Sequence, residues 1–217
     1  MHCLPLSEYI TVYKFLRQHL DIDMKTIGFV LSLLTLSVLG LLGKEEKNGF
    51  VADSKDIIYS DLKRGDSRKS VMNKMRGSGF LQIYEERENN LVKCALKLNG
   101  FRYELAAKLE NDSLAFCLIE GQKGWQFSFY EDVVEPQWEN LREILVDRYG
   151  EKRKTREFPD LVDVPLNDKG GYITDTWDLN DRLLILTILS FEVKDCCTNQ
   201  LVEYSCCTLL IQPKVET

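Results

Sequence analysis

Histidine is nearly absent from this chain of 217 residues, which contains only two. His2 and His19 both precede an uncharged run at residues 26–43, so the sequence after that run contains no imidazole. This excludes an imidazole general base, a Ser–His–Asp triad and a histidine-ligated zinc from that part of the chain. A phosphate-cradling glycine loop is also lacking, because Lys169-Gly170-Gly171 is a turn signal without a GK[ST] element.

Basic residues are too few for a nucleic-acid-binding protein. The chain has 28 Lys and Arg against 34 Asp and Glu, a net charge of −6. The first 43 residues contain three of each sign, so 28 − 3 = 25 basic and 34 − 3 = 31 acidic residues follow them. A region of charge −6 without a long basic run is a poor binder of phosphate backbones, and no nucleic-acid partner is expected.

The uncharged run TIGFVLSLLTLSVLGLLG at residues 26–43 indicates the cellular compartment in which the rest of the protein works. Signal peptides carry an apolar core of about 7–15 residues, and spanning helices need about 20, so the length fits both. The flanking Lys25 and the small residues at its end favour a signal peptide, cleaved after Gly40 or Gly43. The alternative is an uncleaved membrane anchor. The rest of the protein is thus expected to be periplasmic or extracellular, or tethered to the inner membrane through residues 26–43.

Residues 1–23 in front of this region allow two interpretations. The first is a short cytoplasmic tail before a signal anchor. The second, which we favour, is that translation starts at Met24, because a signal peptide begins close to its positive charge. Residues 24–43 are then the whole signal peptide or anchor, and residues 44–56 are a linker.

The remaining sequence predicts an α+β fold over residues 57–212, with two similar halves that each pack a helix on an antiparallel sheet. The halves cover about 57–134 and 135–212. In the first half, Asp66 or Ser67 caps a short helix. In the second half the segment EPQWENLREILVDRYG predicts a longer helix that begins near Pro136 and ends at Gly150, and Trp138, Leu141, Leu145 and Tyr149 form its apolar stripe.

Alternation of apolar and polar residues predicts the strands. They are expected at 57–59, 80–84, 91–98, 101–109, 113–119, 125–130, 172–179, 182–193 and 201–212. Asn99-Gly100 is typical of a tight hairpin. The expected core consists of Val71, Met75, Leu96, Phe101, Tyr103, Leu105, Phe116, Phe127, Leu141, Leu145, Trp177, Leu184, Leu186 and Ile188.

Six cysteines follow the apolar run: Cys94, Cys117, Cys196, Cys197, Cys206 and Cys207. Zinc ligands usually come as CxxC, whereas adjacent cysteines on a strand point to opposite faces, so no metal site is expected. Cys94, Cys117, Cys206 and Cys207 are interpreted as packed hydrophobes. In an oxidising compartment, Cys196 or Cys197 is a candidate for a disulfide with a neighbouring strand.

No carboxylate pair stands out as catalytic, and no catalytic, cofactor-binding or metal-binding residue is assigned. Two groups of acids are the candidates for hydrolysis by carboxylates. They are Glu131, Asp132 and Glu135 beside Trp138, and Asp175 and Asp178 around Trp177. The structural interpretation, an acidic start of a helix and the wet side of a strand, is favoured for both.

The segment LKRGDSRKSVMNKM resembles the opening of the SmpA/OmlA-like small bacterial envelope proteins, with Gly65, Ser67 and Val71 at the matching positions. The segments after it are similar to uncharacterised exported α+β proteins in which a helix ends in Tyr-Gly, here Tyr149-Gly150. The resemblance implies a helix followed by antiparallel strands and a role in the cell envelope. The chain departs from the first family in having no lipid-accepting cysteine after the apolar run.

Taken together, these features predict an exported or membrane-tethered bacterial protein that binds a protein partner without enzymatic activity or cofactor. An immunity or inhibitor protein is a variant of this class, since the acidic charge suits a basic partner. A periplasmic hydrolase that uses carboxylates is the alternative from another class. A cleft with raised carboxylate pKa values would favour the hydrolase, and a broad surface would favour the binding module.

Overall fold

A computed structural model of the chain describes residue 50 and residues 57–125, 127–150, 154–166, 171–195 and 198–214. The predicted signal peptide or anchor, the upstream segment, most of the linker and the Cys196–Cys197 pair lie outside these residues. Within the described part of the chain, no helix has the length and apolarity needed to cross a membrane.

The fold is α+β, with antiparallel strand pairing between all neighbouring strands of its sheets. Its elements in chain order are β1 (Ile57–Tyr59), β2 (Leu62–Lys63), α1 (Arg68–Gly77), β3 (Leu81–Glu86), β4 (Leu91–Leu98), β5 (Phe101–Glu110), β6 (Ser113–Glu120), α2 (Glu135–Tyr149), β7 (Lys154–Thr155), β8 (Tyr172–Asp178), β9 (Arg182–Lys194) and β10 (Leu201–Pro213). Short 3₁₀ turns lie at Arg87–Asn89 and Leu161–Asp163.

Eight strands form one sheet in the order β3-β4-β5-β6-β10-β9-β8-β7, and β1 and β2 form a separate small hairpin. Consecutive strands are neighbours on each side of the β6–β10 pair. The sheet is therefore two four-stranded meanders, β3–β6 and β7–β10, joined where β6 pairs with β10 from Thr208↔Glu120 to Ile211↔Cys117. A helix precedes each meander in the chain: α1 before the first and α2 before the second.

Both helices and the β1–β2 hairpin cover the same side of the sheet, which we call the helix face. Helix α1 contributes Val71 and Met75 to this core, and α2 contributes Leu141 and Leu145, as predicted. Trp138, from the predicted apolar stripe of α2, joins them. Strand side chains of alternate positions complete it. Leu96 and Phe101, which were also predicted as core, are only partly buried against its edge.

The caps and turns follow local side-chain chemistry. Ser67 is the N-cap of α1, where its Oγ accepts a hydrogen bond of 3.3 Å from the amide of Ser70. The β4–β5 hairpin turns at Asn99 and Gly100, with φ angles of 48° and 89°. Two successive positive φ angles are typical of a type I′ turn, which suits Asn-Gly.

The predicted strand at 125–130 is wrong. The chain instead enters a helical turn at Phe127–Phe129, passes through a π turn at Tyr130–Val134 and continues directly into α2. The predicted boundary between halves at residues 134 and 135 therefore falls inside a continuous helical segment. Phe127, predicted as core, is 63% exposed. The alternation of aromatic and polar residues in this segment resembles a strand, but the bridge between Gly124 and Ser205 ends just before it and the backbone is helical from Phe127.

Candidate functional site: an aromatic loop beside an acidic helix start

The carboxylates around Trp177 are engaged in ion pairs and do not converge on one another. Asp175 is fully buried, and its Oδ1 lies 3.3 Å from Nε of Arg142 and accepts a hydrogen bond of 3.0 Å from the Thr155 hydroxyl. Asp178 pairs with Lys214 near the surface. The arrangement fixes α2 against strand β8 through Arg142. It is the geometry of a structural ion pair. The predicted position on the wet side of the strand is wrong for Asp175, because its carboxylate is buried with Arg142 as its partner.

The acidic group at the start of α2 is a cluster of like charges. Glu131, Asp132 and Glu139 are exposed, and Glu135 between them is half-buried. Burial raises the pKa of the Glu135 carboxyl, and the neighbouring charges of Glu139 and Glu131 raise it further. The group thus concentrates negative charge on one side of the helical segment, where a basic surface would be attracted.

The loop between β6 and this helical segment is tightly anchored to the sheet. The amide of Gly121 donates to the carbonyl of Cys207 at 2.8 Å, and Gly124 exchanges backbone hydrogen bonds with Ser205 at 3.2 and 2.8 Å. Neither glycine has room for a side chain. A Cβ on Gly121 would lie 2.5 Å from Oε1 of Gln137, and one on Gly124 would lie 1.9 Å from the ring of Phe129.

The side chain of Gln137 on α2 holds this loop in place through hydrogen bonds. Its Oε1 accepts a hydrogen bond of 2.8 Å from the amide of Gln122, and its Nε2 donates to the carbonyl of Arg102 at 2.9 Å. The side chain is buried, and both ends of its amide are satisfied. It ties the loop, the helix and strand β5 together, so the loop has a defined position relative to the sheet.

Two large aromatic side chains project from this anchored loop into solvent. Trp125 is 60% exposed and Phe127 is 63% exposed. Phe127 precedes Glu131 by one helical turn, so this residue borders the acidic start of the helix. We call this set of Trp125, Phe127, Glu131 and Glu135 the aromatic loop site. Exposed Trp on a rigid segment is typical of the anchors that dominate protein interfaces.

The π turn that follows Phe129 is held by Tyr130. Its hydroxyl donates to the carbonyl of Pro159 at 2.8 Å, and its ring packs against Phe158 at a centroid distance of 4.8 Å. Single π turns inside helices occur frequently at functional sites, because they store an irregular backbone that the surroundings must support. Here the support comes from the segment before β8.

The opposite side of the sheet, which we call the second face, has an apolar patch. The patch consists of Leu91, Ala106, Phe116, Leu118, Leu183, Ile185 and Leu210, all on strands. Farther along the same strands Phe191 and Cys206 form a smaller cluster, with Tyr204 stacked on Phe191 at 6.2 Å. Strands β6 and β9 are apolar at most positions, a pattern that is typical of strands buried on both faces.

An ionic network lies on the second face beside the apolar patch. Nζ of buried Lys93 lies 3.1 Å from the carboxylate of Glu86 and 2.9 Å from that of Glu104. Glu104 also accepts a hydrogen bond of 2.5 Å from the Tyr84 hydroxyl. Burial alone would lower the pKa of Lys93, but the charges of Glu120, Glu104 and Glu86 more than offset it and raise that pKa.

The four described cysteines are free and buried. Cys206 and Cys207 point to opposite faces, since Cys206 packs beside Phe191 while Cys207 joins the core of the helix face, as predicted. Cys94 and Cys117 lie in the same core as Cys207. Burial raises the pKa of the Cys94 thiol and of the Cys206 thiol to about 12. Among the residues that the structure describes, no three His, Cys, Asp or Glu side chains are grouped to hold a metal ion.

Sequence reasoning placed the acidic residues of this site but missed its aromatic half and the second-face ion pairs. The apolar alternation predicts a strand that would place Phe127 in the core, whereas the structure exposes this residue. The available signal was Gly121 and Gly124 just before it, which mark close backbone approaches rather than a strand interior. No protein-family model matches the chain, and no curated protein or solved structure matches it significantly.

Proposed function

We propose that the chain is an exported or membrane-tethered protein of the bacterial cell envelope that binds a protein partner without catalysing a reaction. The observation that carries the proposal is the exposure of Trp125 and Phe127 on a loop that hydrogen bonds hold in place. Fixed aromatic rings lose little conformational freedom on binding and bury a large apolar area. The partner binds at the aromatic loop site.

The charges around the rings define the kind of partner. Glu131, Asp132 and Glu139 are exposed on the helical segment that contains Phe127 at its start, and the chain as a whole carries −6. A partner with an apolar pocket bordered by Lys or Arg is therefore attracted and oriented by the field of this helix start. An acidic inhibitor or immunity protein acting on a basic partner is the form of this function that the geometry favours.

Export rests on residues 26–43, and the envelope role on the resemblance to the SmpA/OmlA-like proteins. The order of α1, its Ser67 cap and the following antiparallel meander is compatible with that resemblance. We further propose that the two helix-plus-meander units are similar halves, because each helix precedes four consecutive strands.

The compartment is tested by fractionating a bacterial host with an intact export pathway and sequencing the N-terminus of the protein. A start at Leu41 or Lys44 in the periplasm or medium supports export, and an intact start at Met1 or Met24 in the membrane fraction supports the tether. Recovery of the intact chain only in the cytosol contradicts both.

Partner binding is tested by photocrosslinking in the cell envelope of the organism that encodes the chain. A benzophenone amino acid at Phe127 is expected to capture a defined protein, and one at Leu81 is the control, since Leu81 is 71% exposed on the outer edge strand β3. The captured protein is then purified and its affinity measured. The double variant Trp125→Ala, Phe127→Ala is expected to bind at least about tenfold more weakly, as for interface hot spots.

Leu81→Ala, by contrast, is expected to bind as the unsubstituted chain does. Equal affinity of the double variant and the unsubstituted chain would contradict the proposal. So would capture of the same proteins at Phe127 and at Leu81, because contact at both places is the mark of nonspecific adhesion.

A further inference from the structure

The apolar patch of the second face is buried although it is built from strand side chains alone. Phe116, Ile185 and Leu210 are 6%, 2% and 3% exposed. Among the described residues, every helix and the β1–β2 hairpin contribute to the core of the helix face, and none contributes to this patch. An antiparallel sheet face that water covers normally carries polar side chains. This patch therefore has the composition and burial of a surface with an apolar cover.

The chain reaches the end of the sheet where this patch lies. Nη1 of Arg182 donates to the carbonyl of Ile58 at 3.3 Å, and the amide of Gly65 donates to the carbonyl of Leu114 at 2.9 Å. These bonds fix the β1–β2 hairpin at the start of β9 and β6. Leu183 and Phe116 of the patch follow Arg182 and Leu114 by one and two residues.

The apolar run is close enough to reach the patch. Phe50 is buried against Tyr59 on the helix face, with ring centroids 5.2 Å apart. Residues 44–49 separate Phe50 from the run, and six residues span up to about 20 Å. A face-to-face layer of a sheet is about 10 Å thick, so these residues suffice to pass around the strand ends from the helix face to the second face.

We propose that residues 26–43 dock on the apolar patch of the second face of their own domain for as long as they remain attached and outside a bilayer. The patch extends from β4 to β9, four strand spacings or about 19 Å, and eighteen residues would span about 27 Å as a helix. The run carries no charge, and neither does the patch. Burial of matching apolar surfaces drives the docking.

The ionic network of Lys93, Glu86 and Glu104 lies at one border of the apolar docking surface. Nζ of Lys93 lies 2.9–3.1 Å from the carboxylates of both Glu86 and Glu104, so one positive charge faces two negative charges at this border of the patch. A negatively charged segment would be repelled there, whereas the uncharged run at residues 26–43 is not. The inference goes beyond partner binding at the aromatic loop site. Cleavage or membrane insertion of residues 26–43 would uncover a second apolar surface.

The test places a benzophenone amino acid at Leu36 of the full chain, in buffer without detergent or lipid. Crosslinked peptides are then sequenced by mass spectrometry. Because successive strand residues point to opposite faces, the attachment site identifies the face. Links within one chain to Phe116, Leu118 or Leu210 are expected. Links to the alternate residues Cys117 or Leu209, or no link to the sheet, would overturn the proposal.

Docking on a second copy is distinguished from docking within one chain by mixing ¹⁵N-labelled and unlabelled chains before irradiation. Crosslinked peptides that combine labelled and unlabelled partners would overturn docking within one chain. Lys69, which is exposed on α1, is the control position, and a benzophenone there is expected to give no link to the second face.

A charge in the run provides the second variant without altering the folded domain. Leu36→Asp, with the benzophenone at Leu33, is expected to lower the yield of second-face links at least about tenfold, because an unpaired carboxylate is costly to bury. An unchanged yield would contradict apolar docking. Neither variant touches Trp125 or Phe127, so partner binding at the aromatic loop site can fail while docking succeeds, and the reverse.

Discussion

Arg142 of α2 and Asp175 of β8 form an ion pair, with 3.3 Å between Nε and Oδ1. The guanidinium also lies over the ring of Trp138, 4.9 Å from its centroid. The same aromatic residue donates from Nε1 to the hydroxyl of Thr174 at 2.8 Å. Asp175 is therefore part of the contact that holds the main helix on the sheet, rather than a group poised to attack a substrate.

Removal of this carboxylate charge is expected to destabilise the fold. Asp175→Asn should lower the free energy of unfolding by about 3 kcal/mol, because it leaves the Arg142 charge without its buried partner. Asp178→Asn is the matched control on the same strand. Its pair with Lys214 is solvent-exposed and is expected to contribute less than about 1 kcal/mol. Urea unfolding followed by circular dichroism measures both, and equal losses would contradict the structural role of Asp175.

The glycines of the anchored loop are expected to tolerate no side chain. Gly124→Ala should lower the free energy of unfolding by about 2 kcal/mol, since its Cβ would overlap the Phe129 ring. Gly77→Ala is the control, because the end of α1 has open space there and alanine favours a helix by about 0.5–1 kcal/mol. The midpoint temperature of thermal unfolding should thus fall for Gly124→Ala and rise for Gly77→Ala. A neutral Gly124→Ala would show that the loop is not held as described.

Acid is expected to weaken the contact between α1 and β2. Asp66 accepts hydrogen bonds from the Lys63 amide at 2.7 Å and the Ser70 hydroxyl at 3.0 Å, and its ion pair with Lys74 is 2.6 Å long. Burial raises the pKa of the Asp66 carboxyl, but the bonds from Lys74, Lys63 and Ser70 outweigh burial and lower it.

Because the pKa of Asp66 is lower in the folded than in the unfolded chain, its stabilisation is present above about pH 4 and is lost as the pH falls through the folded value. Asp66→Asn should cost about 2 kcal/mol at pH 7, and progressively less in acid. Urea unfolding of both proteins between pH 7 and pH 2.5 measures this. A difference that is independent of pH would contradict the assignment.

The buried thiols are expected to resist alkylation in the folded protein. Burial raises the pKa of Cys94 and of Cys206 to about 12, so almost no thiolate exists at pH 8. Iodoacetamide followed by peptide mapping should leave Cys94, Cys117, Cys206 and Cys207 unmodified until denaturant is added. Rapid modification of any of the four in native buffer would show that its strand is accessible.

Local elements were largely predictable from the sequence because their signals are local. The Asn99-Gly100 turn, the Ser67 cap and the period-2 strands each depend on a few neighbouring residues. The helical turn at Phe127 was not predictable in this way, since its aromatic alternation mimics a strand. What decides it is tertiary: Gly124 pairs with Ser205 and the Phe129 ring packs over that glycine.

The order of strands and the buried polar contacts could not be predicted from one sequence. The β6–β10 pairing joins residues that are far apart in the chain, and no local pattern specifies it. Lys93 and Gln137 look like surface residues by type, yet both are buried because partners from distant elements satisfy them. The acidic residues of the aromatic loop site could be recognised in the sequence. The exposure of its two aromatic residues could not, because it depends on the tertiary structure.

The short seam between β6 and β10 has a consequence for how the chain folds. The β9–β10 ladder runs from Leu201 to Pro213 and closes through a hairpin, whereas the seam runs only from Thr208 to Ile211 on β10. Hairpins form within microseconds, whereas pairing of β6 with β10 requires closure of the long loop between them, which costs more conformational entropy. Each meander thus has a rapid local route to its own strands. We therefore expect the formation of the four residue pairs between β6 and β10 to limit the rate at which the whole sheet forms.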